Sequence, residues 1–160
     1  MDALFILCID DQREVLDAIS KDLAPFEGLC QIEECESAAE AEELLEELDA
    51  QGDLPAVLIS DHVMPEKNGV EFLMDVNRDS RFAATKKILL TGLATHQDTI
   101  QAINLAAIDK YIEKPWKVEH LLATVRTLLT EFVLAKGLDY SSYRDQLDLP
   151  TLLAHLSKNG

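Results

Sequence analysis

The residues able to do chemistry in this chain are few, and each stands at the end of an apolar run. Asp10 and Asp11 follow "ALFILCI" (3–9), Asp61 follows "AVLIS" (56–60), Thr91 closes "KILLT" (87–91) and Lys114 follows "DKYIE" (109–113). Taken singly, each has an ordinary reading. Asp61 fits a helix cap, a metal ligand or a nucleophile. Taken together they are three carboxylates, a hydroxyl and an ammonium. Three close carboxylates repel, and some take up protons unless a cation is present. A hard divalent cation resolves the conflict, and Mg²⁺ suits a site of one or two carboxylates, water and phosphate oxygens. Lys114 adds a second positive charge suited to a phosphoryl group. A carboxylate placed beside both can attack phosphorus and form an acyl phosphate, with catalysis reduced to alignment and charge neutralisation.

The elements between these residues must bring them together. Short continuous apolar runs, the mark of strands buried on both faces, fall at 3–9, 56–60 and 87–91. "LCQIEEC" (29–35) is more polar and suits a sheet edge, and 109–113 is a short fifth strand ended before Pro115. Helical spacing runs from Asp11 to Ala24, stopped by Pro25 and Gly28. Ser37 with Glu40 forms a capping box for a helix to Asp49, and Asn68 with Glu71 caps another carrying Val70, Phe72, Leu73 and Val76. Gln97–Leu105 reads as a fourth helix, and Val118 to Phe132 as a long fifth. Strands alternating with helices specify a parallel sheet with helices on both faces, whose sites form at the carboxyl ends of the strands. That is the edge where Asp10, Asp11, Asp61, Thr91 and Lys114 fall.

The chain has 160 residues, about one domain, and is 48% hydrophobic, enough for a real core. Its net charge of −16 disfavours direct nucleic-acid binding and docking on an anionic membrane. The three cysteines, Cys8, Cys30 and Cys35, have no CxxC or metal spacing, and the N-terminal apolar run is too short for a signal or a span. A reduced, cytoplasmic setting is expected.

The motifs "LCIDD", "LISDHVMPEKNGVEFL", "ILLTG" and "YIEKPW", in that order, resemble the receiver domain of bacterial two-component response regulators over about residues 3–130. The resemblance implies a flavodoxin-like, doubly wound five-stranded sheet of order 2-1-3-4-5. It implies that Asp61 is the phosphoacceptor, with Asp11 a direct Mg²⁺ ligand, Asp10 its acidic neighbour and Val63 a backbone-carbonyl ligand. Thr91 would bond the phosphoryl group, Lys114 would pair with it, and Tyr111 would be the switch aromatic that changes the face of the fourth helix, fifth strand and fifth helix. A cis Lys114–Pro115 bond is expected. The donor would be a histidine kinase or phosphotransfer protein, and the chain would be a signalling domain rather than an enzyme, catalysing only its own phosphorylation and dephosphorylation. His62 reads as a rim residue acting sterically on dephosphorylation, in preference to a proton shuttle.

Departures from the family pattern stand at Gly92, where alanine is more usual, at Trp116, where phenylalanine is commoner, and near Ala107, where a glycine is lacking and the loop is expected to differ. Thr-Gly and Lys-Pro-Trp resemble receivers that precede enzymatic output domains or histidine kinases. Two other functions compete. A receiver-like scaffold that works without phosphorylation usually lacks part of the acidic set, which is complete here. An aspartyl-nucleophile phosphohydrolase of the haloacid dehalogenase-like class wants its nucleophile after the first strand and an aspartate two residues on, where this chain has Val63. Residues 1–130 are expected to form the receiver. Residues 131–160 extend the fifth helix and add two short helices, 140–148 and 151–157, for packing, homodimer contact or the start of a linker to an output domain.

Overall fold

The structure, a computed structural model, describes residues 3–92, 100 and 103–159. Its elements are β1 (Leu4–Ile9), α1 (Arg13–Asp22), β2 (Cys30–Cys35), α2 (Ala38–Gln51), β3 (Leu54–Asp61), α3 (Gly69–Arg78), β4 (Lys86–Thr91), β5 (Lys110–Glu113), α4 (Val118–Ala135) and α5 (Leu149–Asn159). The helix expected over Gln97–Leu105 lies largely outside the described residues, so α4 is the helix expected as the fifth. The five strands are parallel in the order β2-β1-β3-β4-β5. This is the doubly wound, flavodoxin-like sheet, with polar β2 at an edge as its composition predicts.

Alternate side chains on each strand face opposite layers. Leu4, Ile6 and Cys8 of β1 join Ile59, Ile88, Leu90 and Ile112 under α1 and α4, through Leu16, Ile19, Leu121 and Val125. Phe5, Leu7 and Ile9 join Leu58 and Leu89 under α2 and α3, through Leu45, Leu48, Phe72 and Leu73. Burial on both faces is why β1 reads as an unbroken apolar run rather than an alternation.

Caps set the helix boundaries. Asn68 Oδ1 accepts from Glu71 N at 2.9 Å, and Asn68 N donates to Glu71 Oε1 at 3.5 Å, closing the expected box. At α2 the box is displaced. Ser37 Oγ accepts from Glu40 N at 3.1 Å, but the Glu40 carboxylate reaches back to Glu36 N, one residue before the cap. Helix α1 starts at Arg13, later than Asp11, and Asp10 Oδ1 accepts from Gln12 N at 2.8 Å just before it.

The tail differs in detail from its expected form. A 3₁₀ turn over Ser141–Gln146 precedes α5, which starts at Leu149 rather than 151. Pro150 sits in the first turn, where no N–H is needed, and Asp148 Oδ2 accepts from Thr151 N and Oγ1 at 3.2 and 2.6 Å. The tail folds back on the α1–α4 layer. Leu147 and Leu152 join its core, and Thr130 Oγ1 of α4 accepts from Asp148 N at 2.8 Å. Trp116 packs on the same layer and donates through Nε1 to Asp22 at 2.9 Å.

Two backbone positions fix loops on opposite edges of the sheet, Ala107 at the amino edge and Gly69 at the carboxyl edge. Ala107 has φ 52°, a conformation that favours glycine, so this chain carries a Cβ through a left-handed turn before β5. Gly69 N donates to the His62 carbonyl at 2.8 Å, closing the loop from β3 into α3. A Cβ at Gly69 would lie 1.9 Å from the Asp61 carbonyl oxygen.

Two measurements check this packing by denaturant midpoint at constant m-value. Leu152→Ala, at a side chain 3% exposed, is expected to cost about 2–4 kcal/mol, whereas Leu153→Ala, at one 56% exposed, stays within about 0.5 kcal/mol of wild type. Equal effects would mean the tail is not docked as described. Gly69→Ala is expected to cost about 2 kcal/mol or more, because backbone and not a flexible side chain occupies the space.

Candidate functional site

Four strands deliver the site, each by its last residue or the next. Asp10 follows β1 and is fully buried. Its N–H donates to the Cys35 carbonyl at 3.0 Å, extending the β1–β2 ladder, and its Oδ1 accepts from Gln12 N at 2.8 Å. Asp61 ends β3, 7% exposed, opposite Leu90. The ladder runs one bond further, from His62 N to the Leu90 carbonyl at 3.0 Å. Thr91 ends β4, buried, and its carbonyl accepts from Lys114 N at 3.1 Å. The Lys114–Pro115 bond is cis, as expected.

Lys114 links the strand ends. Its Nζ donates to Asp61 Oδ1 at 2.7 Å and to Asp10 Oδ2 at 3.2 Å. Asp11, beside them, is exposed, and one oxygen from each of Asp10, Asp11 and Asp61 lies within 4.8 Å of the others. Such a set of hard oxygen donors, crowded and like-charged, fits a divalent cation.

The electrostatics point the same way. Burial raises the Asp10 pKa, and the Asp61 charge adds to this. The Gln12 N–H and Lys114 oppose it without cancelling it. For Lys114, burial works against the charge, but the bonds and charges of Asp61 and Asp10 win and its pKa is raised. One ammonium against three acids leaves the site short of positive charge.

The remaining predicted residues are placed less closely. Val63 stands two residues past Asp61 with its side chain exposed. Tyr111, on β5, is 49% exposed and outside the carboxylate cluster. Gly92 is exposed, and among the described residues nothing lies within 4 Å of where its Cβ would stand.

Two features escaped the sequence reading. The first is Gly69, the close approach that fixes the turn behind Asp61. Asn-Gly after Met-Pro was the available signal. The second is His62, whose Nδ1 lies 3.0 Å from Thr91 Oγ1. Its pKa is lowered, chiefly by burial, against a smaller upward pull from Asp61. The neutral ring is therefore favoured. Adjacency to Asp61 was visible in the sequence, but the cross-strand contact with Thr91 was not.

Known proteins resemble this chain in sequence and fold. The sequence model of the response regulator receiver domain matches residues 6–126. The hydrogenase transcriptional regulatory protein HoxA of Cupriavidus necator is 33% identical over 91% of this chain and 27% of its own length. Response regulator Rre1 of Synechocystis is 32% identical over 78% of this chain and 51% of its own. The chain thus spans about a quarter to a half of these relatives. Among solved structures, the signal receiver domain of an HD domain-containing protein from Pseudomonas fluorescens superposes with a TM-score of 0.73 at 25% identity, covering 86% of this chain and 94% of that one. With a match across its sheet and site, the chain belongs to the response regulator receiver domain family of two-component systems.

Proposed function

We propose that this chain is a phosphoacceptor switch, taking a phosphoryl group from a histidine kinase or phosphotransfer protein onto Asp61 with Mg²⁺. The observation that carries the reading is the convergence of Lys114 on Asp61 and Asp10 at 2.7 and 3.2 Å, with Asp11 beside them. Asp10, Asp11, Asp61 and the Val63 carbonyl would hold the cation. When bound, it offsets the charge of the carboxylates and of the phosphoryl oxygens.

The chain's own residues do the rest. Asp61 supplies the attacking oxygen. A bond forms from it to phosphorus, the bond from phosphorus to the donor's imidazole nitrogen breaks, and the electron pair stays on that nitrogen. Lys114 already stands on Asp61 and pairs with the charge that arrives. Thr91 turns its hydroxyl to a phosphoryl oxygen, and Tyr111 follows inward. That changes the surface made by β5 and α4. The chemistry serves a signal: the domain catalyses only its own phosphorylation and dephosphorylation. Residues 1–130 form the switch, and residues 131–160 are the packing extension. The setting is cytoplasmic. Among the described residues no helix is long and apolar enough to cross a membrane.

Acetyl phosphate with Mg²⁺, followed by intact mass, tests the acceptor. Wild type is expected to gain one phosphate adduct. Asp61→Asn is expected to gain none, and Asp11→Asn or EDTA to suppress the adduct. An adduct on both wild type and Asp61→Asn would remove Asp61 from its role. A homodimer contact through the switched face is part of the same proposal. Light scattering with and without the phosphoryl mimic beryllofluoride is expected to show a dimer with it, and a monomer in both states would end that part of the proposal.

A further inference from the structure

The His62–Thr91 contact has no part in the reaction described above, yet it acts on the residue that must move. The register pairing Asp61 with Leu90 carries His62 beside Thr91 at the next step of the β3–β4 edge. His62 is held there at two backbone points: its N–H donates to Leu90 at 3.0 Å and its carbonyl accepts from Gly69 at 2.8 Å. Gly69 in turn packs closely on the strand end, with the Asp61 carbonyl where a Cβ would stand. Lys67, in the same loop, is tied to Glu42 of α2 at 2.9 Å and to Asp75 of α3. The imidazole is therefore presented from a fixed loop. With Nδ1 3.0 Å from Thr91 Oγ1, it holds a buried threonine by its hydroxyl.

We infer that His62 is a positioning residue, a latch that keeps Thr91 in its unphosphorylated position and so sets how readily the domain switches. The inference rests on the phosphoacceptor reading of Asp61. It does not depend on which imidazole nitrogen carries the proton. Whether Nδ1 accepts from the hydroxyl or donates to it, Thr91 Oγ1 leaves Nδ1 when it turns to a phosphoryl oxygen. A contact made in one position and lost in the other shifts the balance by its own strength. For an ordinary hydrogen bond that is roughly three- to tenfold.

Beryllofluoride with Mg²⁺ is the probe, titrated against wild type, His62→Leu, His62→Asn and the same His62 changes in a Thr91→Val background. His62→Leu is expected to bind roughly three- to tenfold more tightly. His62→Asn, which can place an amide atom where Nδ1 stands, is expected to return towards wild type. In the Thr91→Val background, His62→Leu is expected to have no effect, the coupling a purely steric rim residue would not show. In the protein without Mg²⁺ or mimic, His62→Leu is expected to increase exchange broadening of the Thr91 methyl resonance. Unchanged or weaker binding in His62→Leu, or the same effect with and without the threonine hydroxyl, overturns the latch and leaves the phosphoacceptor reading standing. Failure of wild type both to bind beryllofluoride and to take phosphate from acetyl phosphate overturns both.

Discussion

An ammonium between two buried carboxylates organises this molecule. Lys114 Nζ reaches Asp61 and Asp10 at 2.7 and 3.2 Å, and each of the three groups stands at or just past the end of a different strand. Two unit charges about 4 Å apart interact by roughly 4 kcal/mol at the effective dielectric of a protein surface. Bringing β1 and β3 side by side with an acid at each end therefore needs a positive charge at the same edge. β5 supplies it from two strands away, and the order β2-β1-β3-β4-β5 lets Lys114 cross β4 to reach them. The compensation is partial. Burial keeps the Asp10 pKa raised despite Lys114, and Asp11 brings a third acid to the same edge. A site built with this shortfall favours ligands that bring cationic charge, which is the physical ground for expecting a divalent ion there.

The rest of the fold holds that edge still. Burial on both faces makes β1, β3 and β4 a rigid platform, since neither layer can move without opening the other. The tail adds to one layer only, through Leu147 and Leu152, while Leu149, Leu153 and Leu156 stay exposed on the same helix. The loop after β3 is fastened by Gly69, Asn68 and Lys67 into α3 and α2. Among the described residues, Tyr111 on the short edge strand β5 is left half exposed beside this packed platform.

Much of this was legible in the sequence because periodicity and punctuation are one-dimensional signals. Unbroken apolar runs marked the central strands, the polar "LCQIEEC" marked the edge, and an acid or hydroxyl after each run marked the site's side of the sheet. What the sequence did not carry were distances across strands. Gly69 looks like any turn glycine until the Asp61 carbonyl is found where its Cβ would be. Leu152 and Leu153 are indistinguishable as letters, and only the direction in which α5 docks buries one and exposes the other. Ala107 shows the reverse case. No glycine stands there, yet the backbone takes a left-handed φ at Ala107, between the buried Ala106 and Ile108. Likewise the Glu40 carboxylate found Glu36 rather than Ser37, since a flexible side chain chooses among donors the pattern cannot rank.

How far the proposed switch can move follows from the contacts that change. A neutral hydrogen bond contributes about 1 kcal/mol net and one to a charged acceptor about 1.5–3 kcal/mol. Exchanging His62 for a phosphoryl oxygen therefore favours the turned Thr91 by about 0.5–2 kcal/mol. Carrying a population from one part in a hundred to ninety-nine takes about 5.5 kcal/mol. Thr91 alone falls short. Tyr111 is the nearby group with surface left to bury, and taking an aromatic ring from half-exposed to buried contributes on the order of 1 kcal/mol. Even the two together leave a gap. The remainder has to come from Lys114 and the metal ligands meeting the added charge, which couples the rim back to the ammonium between the carboxylates. With margins this narrow, a single hydrogen bond at His62 is large enough to set where the resting equilibrium lies.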